Sequence, residues 1–86
     1  MPHYMVKLAD DAYVEWSTVV DAPITHVMTR TQAAHDDPER VERCDKNGHS
    51  AMWFEAQTAE QLVSGNRAGA GETELSLPEI LKQYKR

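Results

Sequence analysis

The 86-residue chain predicts an α+β domain, a small antiparallel meander of about three strands packed against short helices. Three observations predict it. Apolar and polar residues alternate through the first strand, with Tyr4, Val6 and Leu8 against Met5, Lys7 and Ala9, the period-two signal of a pleated segment. At Thr29 the period changes, and the first of three capping-box patterns announces helices. At the C-terminus Leu77, Ile80, Leu81 and Tyr84 fall at i, i+3, i+4 and i+7, one stripe of an amphipathic helix.

The elements follow in order within one expected domain, 1–86. The meander is expected over 3–28. Asp10 and Asp11 supply its first turn, because Asp tolerates turn conformations and can bond its own backbone. A second strand over 12–20 places Val14, Trp16, Thr18 and Val20 on one face and Tyr13, Glu15, Ser17 and Val19 on the other. Pro23 cannot donate to a ladder and breaks it, and 24–28 returns as a third strand with Ile24, His26 and Met28 on one side. Two short helices fill 30–46. The first is capped by Thr29 and Gln32 and must stop near Asp37, because the residue before a proline is pushed out of the α region. Asp37 caps the second, with Pro38 at its first position, Val41 and Cys44 on a thin inner face, and Gly48 ending it.

Residues 51–54 read as a short strand or buried connector that returns Met52, Trp53 and Phe54 to the core. Thr58 and Gln61 cap a short helix over 58–66 with Leu62 and Val63 inward. A flexible glycine-rich loop is expected over 64–75. Ser76 and Glu79 cap the last helix, 77–86, whose Lys82, Lys85 and Arg86 suit the negative end of the helix dipole. The helices are expected to cover one face of the sheet. The C-terminal stripe has two readings, docking on its own sheet or, tethered by the loop, packing on a second copy or a partner.

Composition narrows the function. A hydrophobic share of 41% and a charged share of 27% are those of a folded domain, not a disordered one. The charge of −5, with nine basic residues dispersed except at the C-terminus, lacks the cationic footprint that displaces counterions from nucleic acid. One cysteine permits no internal disulfide and, with no cleavable apolar leader, points to a reducing cytoplasm. The longest apolar run, 51–54, cannot cross a bilayer. A chain this short is marginal alone, so a homodimer is expected.

The chemical motifs thin out under inspection. "CDKNGH", from Cys44 to His49, stands one residue from the Cys-x-x-Cys-Gly-His turn of a zinc ribbon, with Asn47 in place of the second cysteine. Tetrahedral zinc needs four ligands, and two more histidines would have to come from His3, His26 and His35 on separate elements. The simpler reading makes Cys44 a small buried group and Gly48 a left-handed helix stop. A calcium loop placed with Gly48 at its invariant glycine would end on Phe54, which is no carboxylate. Cys44 near a helix C-terminus is not activated as a nucleophile. No metal, cofactor or catalytic residue is assigned.

Two resemblances add to this. "MPHYMV" resembles the start of the tautomerase superfamily, which implies that loss of Met1 would expose Pro2 as a secondary amine acting as general base. That superfamily follows its first strand with a long helix, where 12–20 here reads as a strand. Over most of the chain, "EWSTVVDAPITHVMTR", "RVERCDKNGHS" and "NRAGAGETELSLPEIL" resemble a group of small uncharacterised proteins of actinobacteriophages. This implies a phage product in the host cytoplasm with no assigned activity. The expected function is therefore non-enzymatic protein–protein binding to a host protein, the alternative being a tautomerase-type enzyme using Pro2. The candidate partner-contacting residues are Trp16, Asp21, Asn66, Arg67, Glu72, Leu77, Leu81 and Tyr84, with Trp16 read first as core and Arg67 first as a solvated side chain. Neither nucleic acid nor membrane is an expected partner.

Overall fold

The computed structural model describes residues 3–85, and the fold is α+β as expected. Strands β1 (His3–Ala9), β2 (Ala12–Ser17) and β3 (Ala22–Pro23) form an antiparallel sheet in the order β1-β2-β3. Helices α1 (Arg30–Asp36), α2 (Pro38–Asn47), α3 (Ala59–Leu62) and α4 (Leu77–Tyr84) follow. None is long and apolar enough to cross a membrane.

Both faces of the sheet are covered, where one was expected. Tyr4, Val6, Leu8, Ala12, Val14 and Trp16 point to one face and pack with Ala59 and Val63 near α3 and Ile80 of α4. Met5 and Tyr13 point to the other and pack with Ala33 of α1 and with Val41 and Cys44 of α2. The register Tyr4–Trp16 and Val6–Val14 puts each pair on one side of the pleat. Met5 and Tyr13 carry enough apolar area to hold a second layer, although Lys7 and Glu15 interrupt that face.

The local signals for helix ends are all realised. Thr29, Thr58 and Ser76 each accept from the backbone N–H of the third helical residue, and Gln32, Gln61 and Glu79 reach back to the cap's own N–H. Asp37 accepts from Arg40 N–H with Pro38 opening α2, and Gly48 closes it at φ 87°. That left-handed φ is one an L side chain rarely adopts, and Gly48 N–H donates to the Cys44 carbonyl at 2.7 Å.

The meander departs from expectation after Ser17. The Ser17 hydroxyl captures the Val19 N–H at 3.2 Å, so the second strand stops there instead of running to residue 20. Asp21 takes φ 55° and turns the chain. The third strand is only Ala22–Pro23, not 24–28: Pro23 sits opposite Trp16 on the sheet edge, where its missing N–H costs nothing. Beyond it the Ile24 N–H still donates to the Glu15 carbonyl at 2.9 Å, but the Thr25 hydroxyl, not a carbonyl, takes the Glu15 N–H, and the next bridge is Met28 opposite Tyr13. Helix α3 is one turn, shorter than the expected 58–66, and α4 ends at Tyr84.

The segment 64–75 is not a flexible tether. It is wound around Asn66, whose side chain makes four hydrogen bonds to backbone. Its Nδ2 donates to the carbonyls of Val63 and Leu75 at 2.9 and 2.8 Å, and its Oδ1 accepts from the N–H of Ala68 and Leu75 at 3.1 and 3.0 Å. Gly69 is held so tightly that an added Cβ would stand 2.3 Å from the Thr73 hydroxyl and 2.9 Å from its carbonyl oxygen. The loop therefore anchors α4, and Tyr84 Oη donates to the Ala68 carbonyl at 2.8 Å.

Outside the second layer, Asp45 of α2 gathers three elements. Its carboxylate accepts from Tyr13 Oη at 2.6 Å, from Arg30 Nη2 and Nε at 2.7 and 3.0 Å, and from Lys7 Nζ at 3.4 Å. The Tyr13 hydroxyl and then Arg30 hold its pKa down at about 2. Tyr13 is pushed up to about 12, first by burial and then by Asp45. Folding thus favours charged Asp45 and neutral Tyr13. The Asp45 contribution is present above its ordinary 3.8 and is lost as the pH falls towards about 2. The Tyr13 contribution is present below 10.0 and is lost as the pH rises through about 12. In urea melts against pH, Asp45→Asn is expected to flatten the acid limb, and an unchanged limb would remove Asp45 from this role.

Candidate functional site

The eight sequence candidates do not converge. Trp16 is fully buried and stacks on Tyr4 with centroids 6.5 Å apart, so it offers no surface to a partner. Its indole N–H, enclosed in the core, has no hydrogen-bond partner among the described residues. Asn66 is buried and fully engaged in the loop. Leu77, Leu81 and Tyr84 are half-buried against their own sheet, with Ile80 between them at 0% exposure. The stripe therefore docks in cis. Asp21, Arg67 and Glu72 remain on the surface, and the Arg67 N–H donates to the Asp21 carbonyl at 2.9 Å, which brings two of them together beside the β2–β3 turn. Pro2 lies outside the described residues.

The surface feature that sequence reasoning missed lies at residues 52–54. Met52, Trp53 and Phe54 form a 3₁₀ turn and are 58%, 53% and 43% exposed, where they were expected to return to the core. Three large apolar residues in succession normally bury at least part of their surface against the chain, since each such side chain gains about 1.5–3 kcal/mol from full burial. Here the two rings meet each other instead, edge to face, with centroids 6.1 Å apart.

The turn is held from beneath. Gly48 turns the chain out of α2, and His49, Ser50 and Ala51 then run antiparallel to the free edge of β1. Lys7 N–H donates to the Gly48 carbonyl at 2.9 Å, and Ser50 N–H to the Met5 carbonyl at 3.0 Å. The Ser50 hydroxyl accepts the Met5 N–H at 2.7 Å. His49 is fully buried. Its Nδ1 accepts the Ala51 N–H at 3.1 Å, so the proton stands on Nε2, which donates to the Gln57 carbonyl at 2.8 Å. Phe54 N–H donates to the Ala51 carbonyl at 3.2 Å and Gln57 N–H to the Phe54 carbonyl at 3.0 Å. One imidazole therefore ties both ends of the seven-residue loop 51–57, and the apolar turn is presented outward on a fixed frame.

The same geometry disposes of the zinc-like motif. Both His49 nitrogens are committed to backbone groups, and the Cys44 thiol, directed at the Met5 carbonyl 3.4 Å away, faces the second layer. Burial pushes Cys44 up to about 12. The thiol is expected to resist aromatic disulfide reagents at neutral pH in native buffer and to react at the rate of unfolding. Rapid labelling of the native protein would contradict its burial.

A second apolar group stands at the same end of the sheet. Val19 and Val20, in the turn after β2, are 77% and 51% exposed. The register pairs His3 with Ser17, so the start of β1 adjoins the end of β2. The antiparallel segment after Gly48 runs past that same end into Met52. Comparison of the chain with protein-family models, curated proteins and solved structures finds no match.

Proposed function

We propose that the protein works by binding another protein, a host protein in the cytoplasm of an actinobacteriophage-infected cell, and not by catalysing a reaction. The observation that carries the reading is the exposed Met52–Trp53–Phe54 turn fixed by His49. Trp, Phe and Met are the side chains enriched at the centres of protein interfaces, and a few such anchors supply most binding energy. Holding them in one conformation before contact removes much of the ordering cost of association. The resemblance to small actinobacteriophage proteins supports the setting.

Affinity capture from an actinobacterial lysate tests the reading. The wild type should recover a defined protein that rebinds in purified form, and Trp53→Ser should lose it while Pro2→Ala retains it. Equal recovery by Trp53→Ser, or no recovery by the wild type, would count against it. An enol-tautomerase activity abolished by Pro2→Ala would replace binding with catalysis.

A further inference from the structure

We infer that, without its host target, the apolar end of the sheet is occupied by a second copy of this chain. The inference rests on reading that end as a binding surface, and it names the first occupant. Val19 and Val20 belong to the β2–β3 turn, whereas Met52, Trp53 and Phe54 lie past the outer edge of β1. The two groups are therefore about two strand spacings apart, on the order of 10 Å.

Area and composition point to self-association. These five residues expose on the order of 500 Å² between them, divided between the two groups, against about 300–600 Å² for the largest contiguous patch of a typical monomer. A standard interface buries about 800 Å² per partner, and a homodimer interface is about 65% apolar. The patch supplies that apolar share, and the rim must supply the rest. No Asp, Glu, Lys or Arg occurs in 17–20 or 51–54, and the exposed His3, paired with Ser17 at the start of β1, stands between the two groups. The rim carries both signs, with Asp21 and Glu55 against Arg67, which lies beside Asp21. A two-fold contact needs such self-complementarity, since residue i meets j and j meets i.

Sedimentation equilibrium of the purified full chain across the micromolar to submillimolar range tests this. The wild type should pass from monomer to dimer. Trp53→Ser, and separately Val20→Asp, should each weaken the dimer about tenfold or more, as loss of a central anchor does. Unchanged circular dichroism would show that both variants fold. A wild type that stays monomeric throughout overturns the second copy, and if it still captures a host protein through Trp53 the binding function stands without it. A dimer that neither substitution weakens overturns the placement of the interface.

Discussion

Asn66→Ala should cost the protein about 3–4 kcal/mol, the largest loss expected from any single polar side chain here. The residue is 2% exposed and is bonded to four backbone groups. Truncation strands the Leu75 carbonyl and the Ala68 and Leu75 N–H groups, while the Val63 carbonyl keeps the Asn66 backbone N–H at 3.1 Å. Each buried group left unpaired costs about 1–3 kcal/mol, reduced here because Leu75, at the loop margin, can reach water. For a chain of this size that corresponds to a fall in Tm on the order of 20 °C. Asn66→Asp keeps both acceptor contacts but sets a buried carboxylate oxygen against the Val63 and Leu75 carbonyls, so at neutral pH its loss should be at least that of alanine. Urea melts of the three proteins check the order. An alanine variant within about 1 kcal/mol of wild type would show that the loop is not organised around Asn66.

His49→Ala should be nearly as damaging, at about 3 kcal/mol, and more selective in what it loosens. It removes a fully buried ring and strands the Ala51 N–H and the Gln57 carbonyl. His49→Phe restores most of the volume and neither bond, so it separates the cavity from the hydrogen bonds. Both variants should speed amide exchange at Phe54 and Gln57, whose N–H groups close the turn onto Ala51 and Phe54. Both should also weaken binding through Trp53, because an unfixed turn must be ordered on contact. If His49→Phe binds as tightly as wild type, the imidazole serves stability alone and does not poise the surface.

Much of the fold was legible because its signals are local. Thr29–Gln32, Thr58–Gln61 and Ser76–Glu79 satisfy free amides with side chains three residues away, whatever the rest of the chain does. Gly48 and Pro38 likewise act through their own backbone. The stripe of α4 was legible too, although its docking on its own sheet depended on the loop before it. What failed to show was tertiary. The three glycines at 65–71 suggested freedom, yet Asn66, with no local signature, binds them into a fixed path.

The apolar turn was misread for a related reason. "AMWF" has no alternation from which an inward face could be chosen, and hydrophobicity alone placed all three large side chains in the core. One clue was present. Three consecutive residues of an extended segment cannot all face one side of a sheet, so at least one of Met52, Trp53 and Phe54 had to point elsewhere. His49 gave no such clue: as half of a zinc motif it looked like a ligand, and its role depends on the Gln57 carbonyl eight residues later.

Trp53 sits on the surface, on a frame ready for contact. Acrylamide quenching of tryptophan emission in dilute protein tests it most directly, since the difference between wild type and Trp53→Phe isolates Trp53 from buried Trp16. One accessible, red-shifted tryptophan should vanish in Trp53→Phe, and one protected tryptophan should remain. Protection of both tryptophans at the lowest concentration would contradict it and return the turn to the core.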